Sequence, residues 1–273
     1  MSTEISRRQH SIMEFIRQHG SVQVDELSAY LKVTPQTIRR DLNQLYDLEL
    51  VQRVHGGASI KDNVENLGYG ARKILMAEEK DEIAQRAADL IPDNASLFIT
   101  IGTTTERVAE HLVNRKGMLV ITNNMNVASM LWPSRGLEVM IAGGSIRRSD
   151  GGIVGSSAEE FIEKFKLDYA VIGCSAIDSD GEFFDYDLRE VRVAQAIIRR
   201  AHAVILVTDS MKFERRAPIR IGDISDIDIL VTDSGISDEA TALCASKNVR
   251  LEIAGTAALD HHPEESRYGD RTA

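Results

Sequence analysis

Between residues 96 and 232 short apolar runs alternate with helical stretches, and that alternation leaves few folds open to the chain. Residues 96–101, 118–122, 137–142, 169–172, 203–207 and 227–232 read as strands. Residues 106–114, 126–131 and 189–200 read as helices. Runs of four to six apolar residues separated by helices are what buried strands of a helix-covered parallel sheet require. An α/β fold is therefore expected here. No apolar run reaches the roughly 18 residues of a membrane span. With 273 residues the chain has room for one large or two unequal domains.

The first sixty residues follow a different rhythm. Ile12, Phe15 and Ile16 fall at helical spacing, and Gly20 suits a helix end. Residues 22–24 read as a short extended link. Asp25 and Glu26 suit a helix start, Leu27, Tyr30 and Leu31 form its apolar stripe, and it should end near Lys32. Thr34-Pro35 opens a third helix, because Thr caps well and Pro is favoured at the first helical position. Its apolar face is Ile38, Leu42 and Leu45; its polar face carries Gln36, Thr37, Arg39, Arg40 and Asn43. Residues 50–54, the turn at His55-Gly56-Gly57 and residues 58–60 read as a two-stranded wing with Arg53 and His55 near its tip.

The polar face has two readings. It is either a solvated surface or a major-groove reader, since Arg pairs with guanine, Gln or Asn with adenine, and Thr with phosphate or a thymine methyl. Two short helices followed by such a helix make a helix-turn-helix. Asp41 would repel phosphate and is expected to turn away and pair locally. The net charge of −10 does not oppose DNA binding once it is divided. Residues 1–61 carry eight Lys/Arg against seven Asp/Glu, whereas the remainder carries 24 against 35. An acidic body with a near-neutral head confines any DNA contact to one small surface.

In open α/β sheets ligands bind beyond the carboxyl ends of strands. Gly102-Thr103-Thr104-Thr105 stands at such a position, either as a helix cap or as a cradle for an anion. Asn123 and Asn124, Gly143 and Gly144, and Gly151 and Gly152 also follow strands or lie in adjoining loops. Each suits an ordinary turn, but their recurrence favours a shared ligand site. Lys212 follows the strand at residues 203–207, either solvated or placed to neutralise a phosphate. Asp178 and Glu190 are either surface carboxylates or partners for sugar or polyol hydroxyls. The two cysteines, Cys174 and Cys244, have neither disulfide nor metal-ligand spacing, and nothing in residues 1–20 looks like a secretory leader.

The run Thr34-Pro-Gln-Thr-Ile-Arg-Arg-Asp-Leu42 with Arg53-Val-His-Gly-Gly57 closely resembles the DeoR family of bacterial repressors. Residues 98–105, 122–128, 142–144, 150–155, 177–181 and 187–192 extend that resemblance nearly to residue 253. The resemblance implies a winged helix-turn-helix joined to an α/β sensor domain related to ribose-5-phosphate isomerase. It implies double-stranded, palindromic operator DNA as partner and a homodimer or homotetramer in the cytoplasm. It implies no cofactor, no metal and no catalytic residue. The small effector would be a phosphorylated metabolite, glycerol 3-phosphate, acting as inducer.

Two alternatives stay open. The effector could be another sugar phosphate, or the sensor could be an isomerase of the ribose-5-phosphate type. For the second, Asp178, Glu190 and Lys212 match that enzyme's carboxylates and phosphate lysine. Ser175 stands in place of a catalytic-region aspartate, however, and the residues around Phe183 to Tyr186 replace its Lys-Gly-Gly-Gly segment. The expected organisation is a DNA-binding head at 1–60, a linker at 61–73, the sensor at 74–255 and a disordered tail at 256–273.

Overall fold

The computed structural model describes residues 6–48, 50–59 and 68–255. The greater part of the expected linker and the whole expected tail fall outside the described residues.

The head begins with α1 (Arg7–His19), β1 (Ser21–Gln23), α2 (Val24–Leu31) and α3 (Pro35–Asp47). Ser6 caps α1 in a reciprocal box with Gln9. Thr34 caps α3 by accepting from Thr37 N at 3.3 Å, with Pro35 in the first turn. Ile38, Leu42 and Leu45 are buried on one face of α3, packed with Ile12, Ile16 and Leu27. Asp41 is buried too, and Arg8 Nε reaches its Oδ2 at 2.5 Å, the local pairing expected of it.

β2 (Gln52–Val54) and β3 (Gly57–Ser59) form the wing. The stretch read as an extended link contributes β1, which pairs antiparallel with β3, so the wing sheet has three strands in the order β1-β3-β2. Gly57 makes this possible: a Cβ there would lie 1.8 Å from the Val22 carbonyl oxygen. Such a close backbone approach admits only glycine.

Two helices lead into the sensor, α4 (Tyr69–Ile74) and α5 (Ala77–Asp89). There follow β4 (Ser96–Ile99), α6 (Thr103–Leu112), β5 (Met118–Thr122), α7 (Met125–Leu131) and β6 (Leu137–Ile141). A hairpin of β7 (Ser145–Ile146) and β8 (Ile153–Val154) precedes α8 (Ser156–Ile162) and β9 (Leu167–Ile172). Next come β10 (Ala176–Ile177), β11 (Glu182–Asp185), α9 (Leu188–Arg199) and β12 (Ala201–Val207). The described part closes with β13 (Ile219–Asp223), β14 (Ile229–Thr232), α10 (Asp238–Ser246) and β15 (Arg250–Ile253).

Seven strands form one parallel sheet in the order β15-β14-β12-β9-β4-β5-β6. Side chains alternate across it with the period of two that a strand imposes. Leu97, Ile99, Val120 and Val171 pack under α5, α6 and α7, joined by Ile83, Val108 and Val127. Phe98, Ile121, Ala170 and Ile172 face the opposite layer with Ile162 of α8, Val191 of α9 and Cys244 of α10. A small antiparallel sheet, β10-β11-β13, stands beside this layer and buries Phe183. The expected strands and helices all form within a few residues of the expected bounds. The short strands β7, β8, β10, β11 and β13, the edge strand β15 and the helices α4, α5, α8 and α10 are not among the expected elements.

Leu45 is fully buried in a small core, so Leu45→Ala should lower the stability of the head by about 2 to 5 kcal/mol. Urea unfolding followed by circular dichroism measures this; a loss under 1 kcal/mol would contradict the packing described.

Candidate functional site

Two surfaces carry the chemistry. The first belongs to α3 and the wing. Gln36, Arg39, Arg40 and Asn43 are exposed on α3, and Thr34, Pro35 and Thr37 form its first turn. Arg53 ties helix to wing: Nη2 donates to Asn43 Oδ1 at 3.1 Å, and the guanidinium lies 4.7 Å from the Tyr46 ring centroid. Tyr46 OH donates to the Gly57 carbonyl at 2.9 Å, a second strut between the two. His55 is exposed in the β2–β3 turn, where Gly56 has φ +78°. Of the predicted DNA-facing residues, Arg39, Asn43 and Arg53 line a common groove.

The second surface is a cleft at the carboxyl ends of three neighbouring strands. After β4 come Gly102, Thr103, Thr104 and Thr105; after β9 come Gly173, Cys174 and Ser175; after β12 come Thr208 and Lys212. Arg72, Lys80, Asp185 and Glu190 complete the lining, enclosing about 420 Å³ with the open mouth included.

Its floor is the start of α6. The Thr105 hydroxyl donates to the Thr100 and Gly102 carbonyls at 2.8 and 2.9 Å, which fixes the turn. The hydroxyls of Thr103 and Thr104 have no hydrogen-bond partner among the described residues, although both residues are only 7% exposed. The first amides of a helix attract an anion through their free N–H groups and the helix dipole.

Charge of both signs is buried around this floor. Lys80 Nζ donates to the Arg72 and Leu75 carbonyls at 2.6 and 2.7 Å. Burial pushes its ammonium down to about 7, against the pull of Asp209. Burial also lowers Lys212, again opposed by Asp209, and Lys212 makes no side-chain hydrogen bond or ion pair among the described residues. On the acidic side, burial raises Asp185, and burial with the neighbouring Asp185 charge raises Glu190 against Arg147. Burial thus disfavours the charged form of acids and amines alike around this floor. Burial pushes the Cys174 thiol up to about 12, which leaves it a thiol at neutral pH.

Of the residues expected around an effector, Gly102 to Thr105, Glu190 and Lys212 meet in this cleft. The others do not line it, and each has a structural occupation. Asn123 Nδ2 donates to the Ile153 carbonyl at 3.0 Å. Asn124 caps α7 through Asn126 N and donates to Glu106 Oε1 at 3.1 Å. Gly143 and Gly144 turn the chain from β6 into β7, where a Cβ on Gly144 would lie 2.9 Å from the Val154 carbonyl. Gly151 takes φ +73°, and Gly152 lies where a Cβ would meet Ile101 at 2.4 Å. Asp178 Oδ1 accepts from Asp180 N and Glu182 N at 3.0 and 2.9 Å, closing the β10–β11 turn.

Arg72, Lys80, Asp185, Cys174 and Thr208 line the cleft without having been singled out. Arg72 falls in the expected linker, whose end forms α4 instead, and Lys80 lies in α5, a helix not among those expected; only the fold turns them inward. No group of three or more His, Cys, Asp or Glu that could hold a metal occurs among the described residues.

A winged helix-turn-helix followed by a parallel-sheet domain with a polar cleft at its strand ends defines a ligand-sensing DNA-binding architecture. Residues 8–64 match the DeoR-like helix-turn-helix domain, and residues 75–234 match the DeoR C terminal sensor domain. The chain belongs to the DeoR family. It is similar to the glycerol-3-phosphate regulon repressor of Escherichia coli (strain K12), 40% identical over 248 residues that cover 91% of this chain and 98% of that one. It is also similar to the glycerol-3-phosphate regulon repressor of Haemophilus influenzae, 45% identical over 227 residues covering 83% and 89%. Among solved structures it is similar to ribose 5-phosphate isomerase from Plasmodium falciparum, at 14% identity and a TM-score of 0.37, covering 49% of this chain and 52% of that one.

The buried ammonium of Lys80 sets a pH dependence. Its folded value near 7 lies below the ordinary 10.5, so above pH 7 the folded protein binds fewer protons than the unfolded chain, and stability rises with pH. Cys174 acts in the opposite direction only above its ordinary 9.0. Glu190, raised to about 8, opposes Lys80 below pH 8, so unfolding free energy should climb between pH 8 and 9, and Lys80→Met should flatten that slope. An equal slope in variant and parent would contradict the burial described.

Proposed function

We propose that this protein is a transcription repressor that holds operator DNA through α3 and the wing and lets go when a phosphorylated metabolite fills the sensor cleft. The observation that carries the sensor half is the juxtaposition of the α6 N-terminus, its free threonine hydroxyls and Lys212 with Asp185 and Glu190. The first group suits a phosphate monoester, and the carboxyls suit hydroxyls beside it. The likeness to two glycerol-3-phosphate regulon repressors supports glycerol 3-phosphate as effector and the genes of glycerol catabolism as targets.

For the head, Arg39, Arg40, Gln36 and Asn43 are the base-reading set, with Thr34, Thr37, Arg53 and His55 positioning on phosphates. One winged helix offers few base contacts. A homodimer or homotetramer on a palindromic site is the assembly we infer, with recognition helices about one helical turn apart. The effector shifts this assembly only by binding its DNA-free arrangement better. A coupling of about 1 to 3 kcal/mol weakens operator binding roughly 5- to 150-fold.

An isomerase reading loses support from the position of Asp178, which is engaged in a turn outside the cleft. Enediol chemistry needs a positioned base and a group that stabilises the developing oxyanion. Binding without turnover fits the cleft better, and we assign no catalytic residue, metal or cofactor. Absence of ribose 5-phosphate conversion by the pure protein is the expected result.

Two substitutions separate the two surfaces. Arg39→Ala should cost about 1 to 3 kcal/mol of operator binding with effector affinity unchanged. Lys212→Ala should abolish release of operator by glycerol 3-phosphate. Fluorescence anisotropy with labelled operator DNA reads both. Wild-type operator affinity in Arg39→Ala, or wild-type release in Lys212→Ala, would remove that residue from its role.

A further inference from the structure

Helix α4 touches both halves of the molecule. Ala71 and Ile74, 3% and 8% exposed, pack into the hydrophobic core of the head. Its opposite face enters the sensor. Tyr69 OH donates to Glu106 Oε2 at 2.6 Å and accepts from Asn126 Nδ2 at 3.0 Å. Arg72 lies along the cleft beside Gly102 to Thr104 and Lys212. The ammonium of Lys80 holds the carbonyls of Arg72 and Leu75, helix-end acceptors that would otherwise lack partners.

The Arg72 guanidinium is poorly matched where it stands. Arg147 already occupies Asp150 as a fork, Nε to Oδ1 at 2.8 Å and Nη2 to Oδ2 at 2.6 Å, and Gly152 N donates to Oδ1 at 3.2 Å. Arg72 Nη2 adds only a long contact, 3.3 Å, to that same Oδ2. Arg72 Nε is buried with no partner at all. A guanidinium carries five donors in a plane that fits two oxygens of a phosphate or carboxylate. A buried donor left unmade costs free energy, and such groups collect where a ligand completes them. Arg72 lines the same cleft as the start of α6, whose first amides offer a place for a completing anion.

We propose that Arg72 is an effector ligand supplied by a helix rooted in the DNA-binding head, so that the site is completed from the head's side. This rests on the reading of the cleft as the effector site. When a phosphate monoester arrives, Arg72 gives up its long contact to Asp150 and forms a fork on two phosphate oxygens. Asp150 keeps Arg147 and the Gly152 amide, so the exchange leaves no carboxylate unpaired. Arg72, Ala71 and Ile74 share one short helix, so a shift of the guanidinium toward the α6 amides moves side chains embedded in the head core. The Tyr69 hydroxyl between Glu106 and Asn126 defines the resting position of that helix. Binding and release are then one event: the residue that grips the anion is on the element that orients the reader.

The test compares wild type, Arg72→Gln, Arg72→Lys and Lys212→Ala as full-length proteins. Calorimetry gives affinity for glycerol 3-phosphate, anisotropy gives the factor by which it weakens operator binding, and thermal melting shows that each variant is folded. Arg72→Gln should weaken glycerol 3-phosphate at least tenfold and shrink the release factor at saturating effector. Arg72→Lys should bind better than Arg72→Gln yet still release less than wild type, because it keeps the charge without the fork. If both folded Arg72 variants bind and release as wild type while Lys212→Ala does not bind, the inference is overturned and the cleft remains the effector site. If wild type binds no phosphate monoester, the reading of the cleft falls and the inference falls with it.

Discussion

The ammonium of Lys80 is 4% exposed, and both carbonyls it holds belong to the end of α4. It therefore fixes where the chain leaves the head and where it enters the sensor. Burying a charge is tolerated only with such compensation, and the lowered basicity of Lys80 measures what is still missing. Together with Tyr69 between Glu106 and Asn126, this contact keeps α4 along the cleft. Without both, Arg72 would not face α6, and Ala71 and Ile74 would have no fixed relation to the sheet.

The parallel sheet supplies the other half of the design. Its carboxyl ends gather loops from β4, β9 and β12 on one rim, and helix starts point their amides at the same place. The cleft is not simply basic. Lys80, Lys212 and Arg72 meet Asp185 and Glu190 there. A purely positive pocket would accept any anion. On the proposed reading, mixed charge suits an anion that carries hydroxyls within reach.

Much of this was legible in the sequence, and the parts that were not have physical reasons. Thr34-Pro35 announced α3, because a cap and a first-turn proline act locally. The strands of the large sheet were visible because burial on both faces makes them continuous apolar runs. Gly102 to Thr105 stood out because it follows such a run, and it does line the cleft. Asn124, Gly151 and Gly152 share the same signature and serve helix capping and close packing instead, for a loop that caps and a loop that binds use the same residues. Arg72 and Lys80 gave no signal. Arg72 stood in the expected linker and Lys80 in a stretch read as no element, and only tertiary packing turns either inward.

The most direct measurement is a calorimetric titration of the protein with glycerol 3-phosphate, set against glycerol, fructose 1-phosphate and ribose 5-phosphate. Selective, saturable binding of glycerol 3-phosphate, with glycerol silent, is the predicted result and makes the cleft a sensor for a phosphorylated three-carbon polyol. Binding of glycerol as tight as that of its phosphate would contradict the account, because the α6 amides, Lys212 and Arg72 would then contribute nothing.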